Sequence, residues 1–544
     1  MNWTINIGIY FIPFLMFSKK STVCFYYLIL FSVVAFSQPA GQVFIDVFDL
    51  QRHMEFLASD SLMGRNFNTK TDGLGIASDY LKKSVESMGL KPGGQCFFQS
   101  VDMVSVKTNK EETFLEVSGI NGKPAWVTHS LLKLEGNDGN FEFENDKIVF
   151  AGFGWKNDSV NFEFPGLDLA GKVVLLAEGK PDFFSKQGFS KHEQKVEQLK
   201  YQVLAGKNVK AIIVVSLPKD NKNSTFNRME NRLIHQRYNL KNRLDPAAGV
   251  PVFMTTPDFP DALLGGKGKY RKYLSSVAKE KHTGLIPIEN VNWKGKFSEE
   301  VKDLNGRNVV GILEGSDPEL KTECVVFMAH YDHLGIGKEK DVMNGADDNA
   351  SGTAALLEIA EAFSKLEVKP RRSIVFLWVT VEEFGMFGSK YYVDHPAFPM
   401  DKTLVCINLD MVGRVYEPRD SVWDHSPKRV KDFDGLYTLT NNICPGLVAI
   451  SDSVCGKLGL VSDHSLPESF LYNSDHYHFH KNQVPVLAIS TGYHADYHKP
   501  TDEIRKISFS KLKRVADYAF GVGYAVANQI KSAEMDAPLP AGRN

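Results

Sequence analysis

Four short apolar runs in the second half of the chain each end in acidic or imidazole side chains. The runs are 324–328, 373–380, 403–409 and 484–489, and the side chains that follow them include His330, Glu382, Glu383, Asp410 and His498. Runs this continuously apolar are typical of strands that are covered by helices on both faces. Apolar residues at helical spacing also predict helices over 73–88, 352–365 and 509–530. The pattern therefore predicts an α/β fold with a mixed, mostly parallel sheet and helices on both faces.

The polar ends of these runs predict a shared site. In open α/β sheets, ligands bind beyond the carboxyl ends of the strands. The block G-A-D-D-N-A-S-G, which contains Asp347 and Asp348, lies between the first run and the helix at 352–365, so its carboxylates belong to the same edge. Imidazoles and several carboxylates gathered in one place repel one another unless a cation lies between them. We therefore predict a metal site.

The types of ligand indicate which metal binds and how many ions there are. Imidazole and carboxylate without a nearby thiolate suit Zn²⁺, and Co²⁺ or Mn²⁺ less exclusively. One catalytic zinc needs three protein ligands, whereas five suffice for two ions if one carboxylate bridges them. One glutamate of the pair Glu382-Glu383 would then stay free as a general base. The prediction is a pair of zinc ions with a carboxylate base beside them.

Six short blocks, in order along the chain, resemble peptidase family M28. They are H-x-D, G-A-D-D-N-x-S-G, E-E-x-G-x-x-G-S, N-x-D-M-x-G, S-D-H-x-x-F and Y-H-x-P-x-D, and they span roughly 180 residues. The family consists of dizinc aminopeptidases and related exopeptidases with a zinc-exopeptidase fold. Each block alone is weak evidence, but the ordered set is specific.

The resemblance implies a role for each matched residue. His330 and Asp410 would bind one zinc ion, Glu383 and His498 the other, and Asp347 would bridge the two. Glu382 would be the general base. The other matched residues would orient ligands or line the pocket, and they are Asp332 (beside His330), Asp348, Asp475 and His476. The peptide bond between Asp347 and Asp348 is expected to be cis.

The remaining sequence indicates how the chain is divided. Two apolar runs around Lys19-Lys20 predict a secretory signal peptide within 1–38, and an uncleaved membrane anchor is the alternative. Strand-like runs within 146–287, with a helical stretch over 191–205, resemble a protease-associated (PA) domain inserted into the catalytic domain. The predicted divisions are 1–38, 39–145, the PA-like insert at 146–287, the zinc peptidase domain at 288–531 and a flexible tail at 532–544.

Charge and composition limit the classes of molecule that the protein is expected to bind. The formal net charge is −2 and no basic stripe interleaved with aromatic residues occurs, which argues against a nucleic-acid partner. We expect peptide substrates, an exported protein in the secreted or periplasmic space, and no membrane contact unless the N-terminal segment stays attached.

Three functions remain as alternatives to an aminopeptidase: a carboxypeptidase or dipeptidase of the same family, a glutaminyl-cyclase-like transferase, and a receptor-like binding protein. Pairing of Cys444 with Cys455 and the oligomeric state stay open.

Overall fold

The structure is a computed structural model. It describes residues 44–529 apart from 68, 119–124, 157–158, 161–167, 180–190, 217–223, 234–235, 242–248, 281–285, 289–290 and 416–432. The signal peptide or anchor predicted at 1–38 and the tail predicted at 532–544 lie outside the described residues. Within them, no helix has the length and apolar character needed to cross a membrane.

The helices of the described chain are, in order, α1 Val47–Leu57, α2 Gly73–Ser87, α3 Lys191–Ala205, α4 Thr225–Leu233, α5 Asp258–Leu263, α6 Lys269–Glu280, α7 Gly352–Ser364, α8 Phe387–Asp394, α9 Pro445–Lys457, α10 His476–Lys481 and α11 Phe509–Asn528. The helices predicted over 73–88, 191–205, 352–365 and 509–530 are confirmed as α2, α3, α7 and α11. Helices α1 and α2 begin at N-capping residues. The carboxylates of Asp46 and Asp72 accept hydrogen bonds from backbone N–H groups in the first turns of these helices.

The strands are, in order, β1 Lys91–Pro92, β2 Phe98–Thr108, β3 Phe114–Val117, β4 Trp126–Thr128, β5 Leu131–Glu135, β6 Phe141–Glu144, β7 Ile148–Phe150, β8 Trp155–Lys156, β9 Ser159–Val160, β10 Val173–Ala177, β11 Ala211–Val215, β12 Arg237–Leu240, β13 Val252–Thr255, β14 Ile286–Ile288, β15 Trp293–Phe297, β16 Glu299–Leu313, β17 Cys324–His330, β18 Gly335–Ile336, β19 Val342–Met343, β20 Ser373–Val379, β21 Thr403–Leu409, β22 Gly435–Thr440, β23 Val461–Asp463 and β24 Val486–Ser490.

The largest sheet of the described residues has ten strands, in the order β12-β2-β16-β20-β17-β21-β24-β22-β23, with β1 beside β16. Its centre is parallel, since β20, β17, β21 and β24 run in one direction. The strands on either side of this centre join it antiparallel, through β16 and β22. The sheet is therefore mixed, and its parallel part is formed by the four runs that the sequence predicted to be neighbours.

Side chains of the central strands alternate between two cores. From β17, Phe327 packs in the core that contains α1, α2, α7, α9 and α11, where its ring centroid lies 5.6 Å from that of Phe363. The neighbouring Met328 packs on the opposite face with Tyr392 of α8 and Phe479 of α10. Burial on both faces explains why these strands are apolar throughout, and the prediction of helices on both faces is confirmed.

Besides the two-stranded sheet β8-β9, two larger sheets lie between β2 and β16 in sequence. One has six strands in the order β14-β7-β10-β11-β13-β5, and the other has four in the order β4-β3-β15-β6. They share a core in which the Phe143 ring lies 5.4 Å from Phe253 and 5.2 Å from Trp293. Strands β3 to β6 and β15 lie outside the predicted range 146–287, so these sheets extend beyond the predicted ends of the insert. The identity of the insert as a PA domain stays a prediction.

One strand of the insert reaches the main sheet. Strand β12 pairs antiparallel with β2 at the edge of the ten-stranded sheet. There the ring of Tyr238 lies 4.4 Å, centroid to centroid, from that of Phe384, which follows the pair Glu382-Glu383. This strand of the predicted insert thus lies beside the loop that carries the two glutamates.

The cysteines form no disulfide among the described residues. Cys324, Cys406, Cys444 and Cys455 are buried and Cys96 is exposed, and none of these five is in a disulfide. The pairing of Cys444 with Cys455, which the sequence left open, is therefore not present.

Candidate active site

The ends of the parallel strands bring the predicted residues to one edge of the sheet. His330 is the last residue of β17, Asp410 follows β21 directly, and Glu382 and Glu383 lie in the turn after β20. His498 lies in the loop between β24 and α11. Its Nε2 is 3.1 Å from Glu383 Oε2, and His330 Nε2 is 3.4 Å from Asp410 Oδ1. The prediction that these distant residues converge is confirmed.

The carboxylate between the two histidines belongs to Asp348. Its Oδ1 is 3.5 Å from His330 Nε2, and its Oδ2 is 3.2 Å from His498 Nε2. Asp347 points elsewhere, since its Oδ1 accepts a hydrogen bond from the Gly413 backbone at 2.7 Å. The predicted bridging position of Asp347 is therefore wrong, and Asp348, which was expected to have a supporting role, holds that position.

The irregular backbone of this loop explains the error. Gly345 has a φ of +53°, and Asp348 and Asn349 have non-helical backbone angles just before α7 begins. In such a segment two successive side chains point in unrelated directions, and the letters D-D do not reveal which one faces the site. The cis peptide bond is also displaced by one residue, from the predicted Asp347–Asp348 to Asp348–Asn349.

We name the set His330, Asp348, Glu383, Asp410 and His498 the Asp348 cluster. Zinc bonds to nitrogen and oxygen are about 2.0–2.2 Å long, which places neighbouring ligand atoms of a tetrahedral ion about 3.3 Å apart. The four histidine–carboxylate separations in the cluster lie between 3.1 and 3.5 Å. Asp348 offers one oxygen to each histidine. The side chains thus fit two ions, one beside His330 and Asp410 and one beside His498 and Glu383, with Asp348 shared.

Asp332 organises the turn that carries the two glutamates. Its carboxylate accepts the backbone N–H groups of Glu382 at 3.0 Å and Glu383 at 3.3 Å. His330 Nδ1 lies 3.3 Å from the backbone carbonyl of Asp332 and 3.9 Å from its carboxylate. The side chain predicted to orient His330 therefore holds the glutamates, while its main chain faces the histidine. Val381 precedes the pair with a φ of +60°, which is strained for a β-branched residue.

The carboxylates impose a strong negative potential on the two imidazoles. Burial alone would lower the pKa of His330, but Asp410 and Asp348 outweigh burial and raise the pKa well above its usual value. Burial likewise acts to lower the pKa of His498, yet Asp348 and Glu383 raise it to about 10. Zinc binds neutral imidazole. Metal binding at these two residues would therefore displace protons that the carboxylates otherwise attract.

Glu382 differs from its neighbour Glu383. Burial raises the pKa of the Glu382 carboxyl well above its usual value, and although His330 opposes this, Glu383 adds to it. Burial and Asp348 also act to raise the pKa of Glu383, but His333 and His498 outweigh them and lower it. One glutamate is thus stabilised as an anion between two histidines, and the other retains its proton more readily. This division matches the predicted separation between a ligand and a base.

The S-D-H block supports Asp410 through a single hydroxyl group. Ser474 Oγ donates to Asp410 Oδ2 at 2.7 Å. Asp475 accepts from Ser389 Oγ at 2.5 Å, and burial raises the pKa of its carboxyl to about 7. His476 Nε2 lies 3.1 Å from the carbonyl of Phe470, and its Nδ1 lies 3.3 Å from the Asn408 amide nitrogen. Asp475 and His476 therefore lie behind the ligands, and Ser474, the first residue of the same block, contacts one.

A second buried cluster adjoins the first, because Asp347 and Asp348 are consecutive residues. We name it the Asp347 cluster, and it comprises Asp347, Arg414, His494, Asp496 and Asp502. His494 Nε2 is 3.3 Å from Asp347 Oδ2, and Arg414 donates to Asp496 Oδ2 at 3.0 Å. Arg414 Nη1 also lies 3.7 Å from Asp502 Oδ1. This cluster contains its own cation, Arg414, which pairs with two of its three carboxylates, and Lys506 also pairs with Asp496. These carboxylates thus have cationic partners without a metal ion.

Asp502 connects the two clusters. Its Oδ2 accepts the backbone N–H groups of Asp347 at 3.0 Å and of Asp348 at 3.1 Å, and its main-chain carbonyl accepts that of Ala346 at 3.1 Å. Three successive amides of the loop are thus held by one residue. Asp502 is the last residue of the Y-H-x-P-x-D block. Its place in that block is the signal by which the sequence could have indicated its role.

Sequence reasoning also missed His333, which it treated as a loop histidine. His333 is fully buried, and its Nδ1 is 2.6 Å from Glu383 Oε1. The available signal was its position in H-Y-D-H, three residues after His330. Arg65, in contrast, is structural, because its guanidinium donates to the carbonyls of Tyr331 at 2.7 Å and Gly345 at 2.9 Å. Burial lowers the pKa of Arg65 to about 10, although Asp332 and Asp348 oppose the shift.

Comparison with protein families gives one match. Residues 308–522 match the model of peptidase family M28. This range includes every residue of the two clusters and both glutamates, and it excludes the two additional sheets.

Among curated proteins, the chain is 29% identical to leupeptin-inactivating enzyme 1 of Streptomyces exfoliatus over 248 residues, which are 44% of this chain and 51% of that protein. It is 28% identical to aminopeptidase YwaD of Bacillus subtilis (strain 168) over 233 residues, which are 41% of this chain and 46% of that protein. The chain thus spans about half the length of the curated relatives that it matches. Among solved structures, an aminopeptidase from Aneurinibacillus sp. strain AM-1 aligns with a TM-score of 0.46 and 20% identity, covering 89% of this chain and 94% of that one.

Proposed function

We propose that the protein is a member of peptidase family M28, whose model matches residues 308–522, and that it is an exported dizinc aminopeptidase that removes N-terminal residues from peptides. The observation that carries the proposal is the position of Asp348 between His330 and His498, with a further carboxylate beside each histidine. Asp410 would complete the ligands of one ion and Glu383 those of the other.

The protein side chains support hydrolysis of an amide bond. Zinc ions bound here would supply a water of lowered pKa and a positive charge for a developing oxyanion. Glu382 lies beside the cluster, half-buried, and burial raises the pKa of its carboxyl. A carboxyl whose pKa is raised can take a proton from water and later release it to the leaving amine. Asp332 keeps Glu382 in place through the backbone N–H bond.

Among the described residues, the two arginines that contact the loops of the site are not free to bind the C-terminal carboxylate of a substrate, and this supports an aminopeptidase over a carboxypeptidase. An enzyme that binds the C-terminal carboxylate of its substrate needs an accessible cation or donor for it. Arg65 and Arg414, which contact the loops of the site, are 1% and 2% exposed. Their guanidinium groups already donate to backbone carbonyls and to Asp496. The names of the relatives, an aminopeptidase among them, agree with this choice.

A panel of blocked and unblocked dipeptides tests the proposal. We expect hydrolysis of free dipeptides and of dipeptides with an amidated C-terminus, and none of dipeptides with an acetylated N-terminus. Activity should disappear with 1,10-phenanthroline and return with added Zn²⁺. Cleavage of the acetylated substrates without cleavage of the amidated ones would instead identify a carboxypeptidase.

Export is a proposal that rests on the sequence of residues 1–38. The second of two apolar runs, which follows Lys19-Lys20, supports a signal peptide. Mass spectrometry of the N-terminal peptide from the producing cells tests this. A mature N-terminus shortly after Ser37 supports cleavage, and an intact Met1 supports the anchor.

For the insert, we propose that it forms a wall of the substrate site. The contact between Tyr238 of β12 and Phe384, next to Glu383, supports this proposal. Replacement of Tyr238 by Ala should change KM among substrates of different length more than it changes kcat for the smallest substrate. Equal effects on all substrates would contradict it.

A further inference from the structure

We propose that His333 is a positioning residue, whose Nδ1–H group holds Glu383 so that its other oxygen faces His498. This inference rests on the proposed function, since it concerns one of the two proposed zinc positions. It assigns to His333 the task of securing the ion beside His498 and Glu383 without being a ligand of that ion.

The distances separate a hydrogen bond from shared metal binding. His333 Nδ1 lies 2.6 Å from Glu383 Oε1. Two ligand atoms of one tetrahedral zinc ion are about 3.3 Å apart, so a separation of 2.6 Å is too short for a common ion and suits a charge-assisted hydrogen bond. The other oxygen, Oε2, lies 3.1 Å from His498 Nε2. The two oxygens of Glu383 are thus divided between a donor and the proposed zinc position.

The hydrogen-bonding capacity of the groups fixes the direction of this bond. An ionised carboxylate only accepts hydrogen bonds, so the proton must lie on Nδ1 of His333. His333 Nε2 is buried and has no hydrogen-bond partner among the described residues. The ring therefore acts through one nitrogen, and that nitrogen is directed at Glu383.

The ring of His333 is held in place from outside the cluster. Its backbone N–H donates to the Arg65 carbonyl at 3.2 Å, and its own carbonyl accepts from the Asn66 amide at 2.6 Å. A Cβ at Gly345 would lie 2.5 Å from the ring atoms Cγ and Cδ2. The ring thus lies directly against the Gly345 backbone, where only glycine leaves space for it. Glu383, held on its other side by the Asp332 carboxylate through its N–H, has little freedom to rotate away.

Three substitutions of His333 distinguish the donor from the ring. In His333→Asn, the amide nitrogen can occupy the place of Nδ1 and keep the donor. In His333→Gln, the amide nitrogen reaches toward the place of Nε2, and in His333→Leu there is no donor. His53→Asn is the matched control, because His53 is also buried and lies 3.3 Å from a buried carboxylate, that of Glu358, outside the site.

The measurement is zinc content by elemental analysis after dialysis at fixed free Zn²⁺, with circular dichroism to confirm folding. The wild-type protein should hold two equivalents. Loss of an outer partner of a metal ligand typically weakens metal affinity 10–100-fold, so His333→Leu and His333→Gln should hold close to one equivalent at limiting zinc. His333→Asn and His53→Asn should hold two.

The outcomes separate this inference from the proposed function. A wild-type protein without bound zinc would contradict the proposed function itself. If the wild-type protein holds two equivalents and His333→Leu does as well, with equal affinity, then His333 has no positioning role. If His333→Asn loses zinc as fully as His333→Leu, the imidazole is itself a ligand and the inference is wrong. Should His333→Leu not fold, the comparison of the Asn and Gln variants decides the question.

Discussion

Two consecutive aspartates place their carboxylates in clusters of similar composition but different electrostatic balance. The Asp347 cluster and the Asp348 cluster each combine carboxylates with histidine. In the first, Arg414 lies within 4 Å of two carboxylates, those of Asp496 and Asp502. In the second, the ion pairs found among the described residues involve only histidines. The presence or absence of a cationic side chain, rather than the types of ligand, distinguishes a structural cluster from a candidate metal site.

The two clusters also differ in how far their side chains are exposed to solvent. The side chains of Asp347 and His494 are 0% exposed, whereas those of His498 and Asp410 are 36% and 22% exposed. The Asp348 cluster is thus open to solvent, whereas the Asp347 cluster is enclosed and holds the backbone of the loop that carries Asp348. The Asp348 cluster is therefore the candidate site, and the Asp347 cluster supports its backbone through Asp502.

The largest effect should follow substitution of Asp348. Asp348→Asn removes the charge that both proposed ions share, so we expect zinc content to fall from two equivalents toward none and activity to fall to background. Asp347→Asn should retain both ions, because its carboxylate faces Gly413 and His494. Elemental analysis of the two variants, side by side, measures this. Zinc loss from the Asp347 variant alone would restore the original prediction from the sequence.

The next largest effect concerns the base. Glu382→Gln should retain both ions yet lower kcat by about 10²–10⁴-fold, the usual contribution of a general base. Removal of the neighbouring proposed ligand, by Glu383→Ala, should lower both kcat and the zinc content. Near-normal kcat in the Glu382 variant with full zinc content would remove the proposed proton transfer.

A third prediction removes the arginine that pairs with two carboxylates of the Asp347 cluster. Arg414→Met leaves Asp496 and Asp502 without their guanidinium partner, and breaking a buried ion pair in this way typically costs about 3–5 kcal/mol in the free energy of unfolding. Urea denaturation of the zinc-free protein measures this change. Lys506 also pairs with Asp496, so Lys506→Met, at a more exposed position, should cost less. An unchanged free energy for Arg414→Met would mean that the cluster is not stabilised by this charge.

How much the sequence could predict depends on the regularity of the backbone. The helices α2, α7 and α11 and the strands β17, β20, β21 and β24 follow from apolar patterns, because burial fixes which positions must be apolar. The convergence of His330 with Asp410, and of Glu383 with His498, follows from the parallel strands that carry them.

The errors lie where the chain is irregular. Which of two successive aspartates faces the site depends on the loop after Gly345, and no periodic pattern describes that loop. His333 was missed for a similar reason, since its contact with Glu383 joins two loops. The two additional sheets extend beyond 146–287 because short strands with half-exposed faces, such as β4 and β6, give a weak sequence signal.

The smallest effect is expected when a side chain that contacts a proposed zinc ligand, but does not itself bind zinc, is replaced. Ser474 Oγ donates to Asp410 Oδ2 at 2.7 Å, while Asp410 Oδ1 faces His330 at 3.4 Å. Ser474→Ala should therefore weaken zinc binding at the His330 position by about 10-fold, the lower end for loss of a partner that orients a ligand. Titration with zinc in metal buffers should show one weakened and one unchanged equivalent. Ser389→Ala, which removes a donor to Asp475 one step farther from the ligands, is the control and should change neither equivalent by as much. Weakening of both equivalents in Ser474→Ala would mean that the two ions are bound as a single unit rather than at separately supported positions.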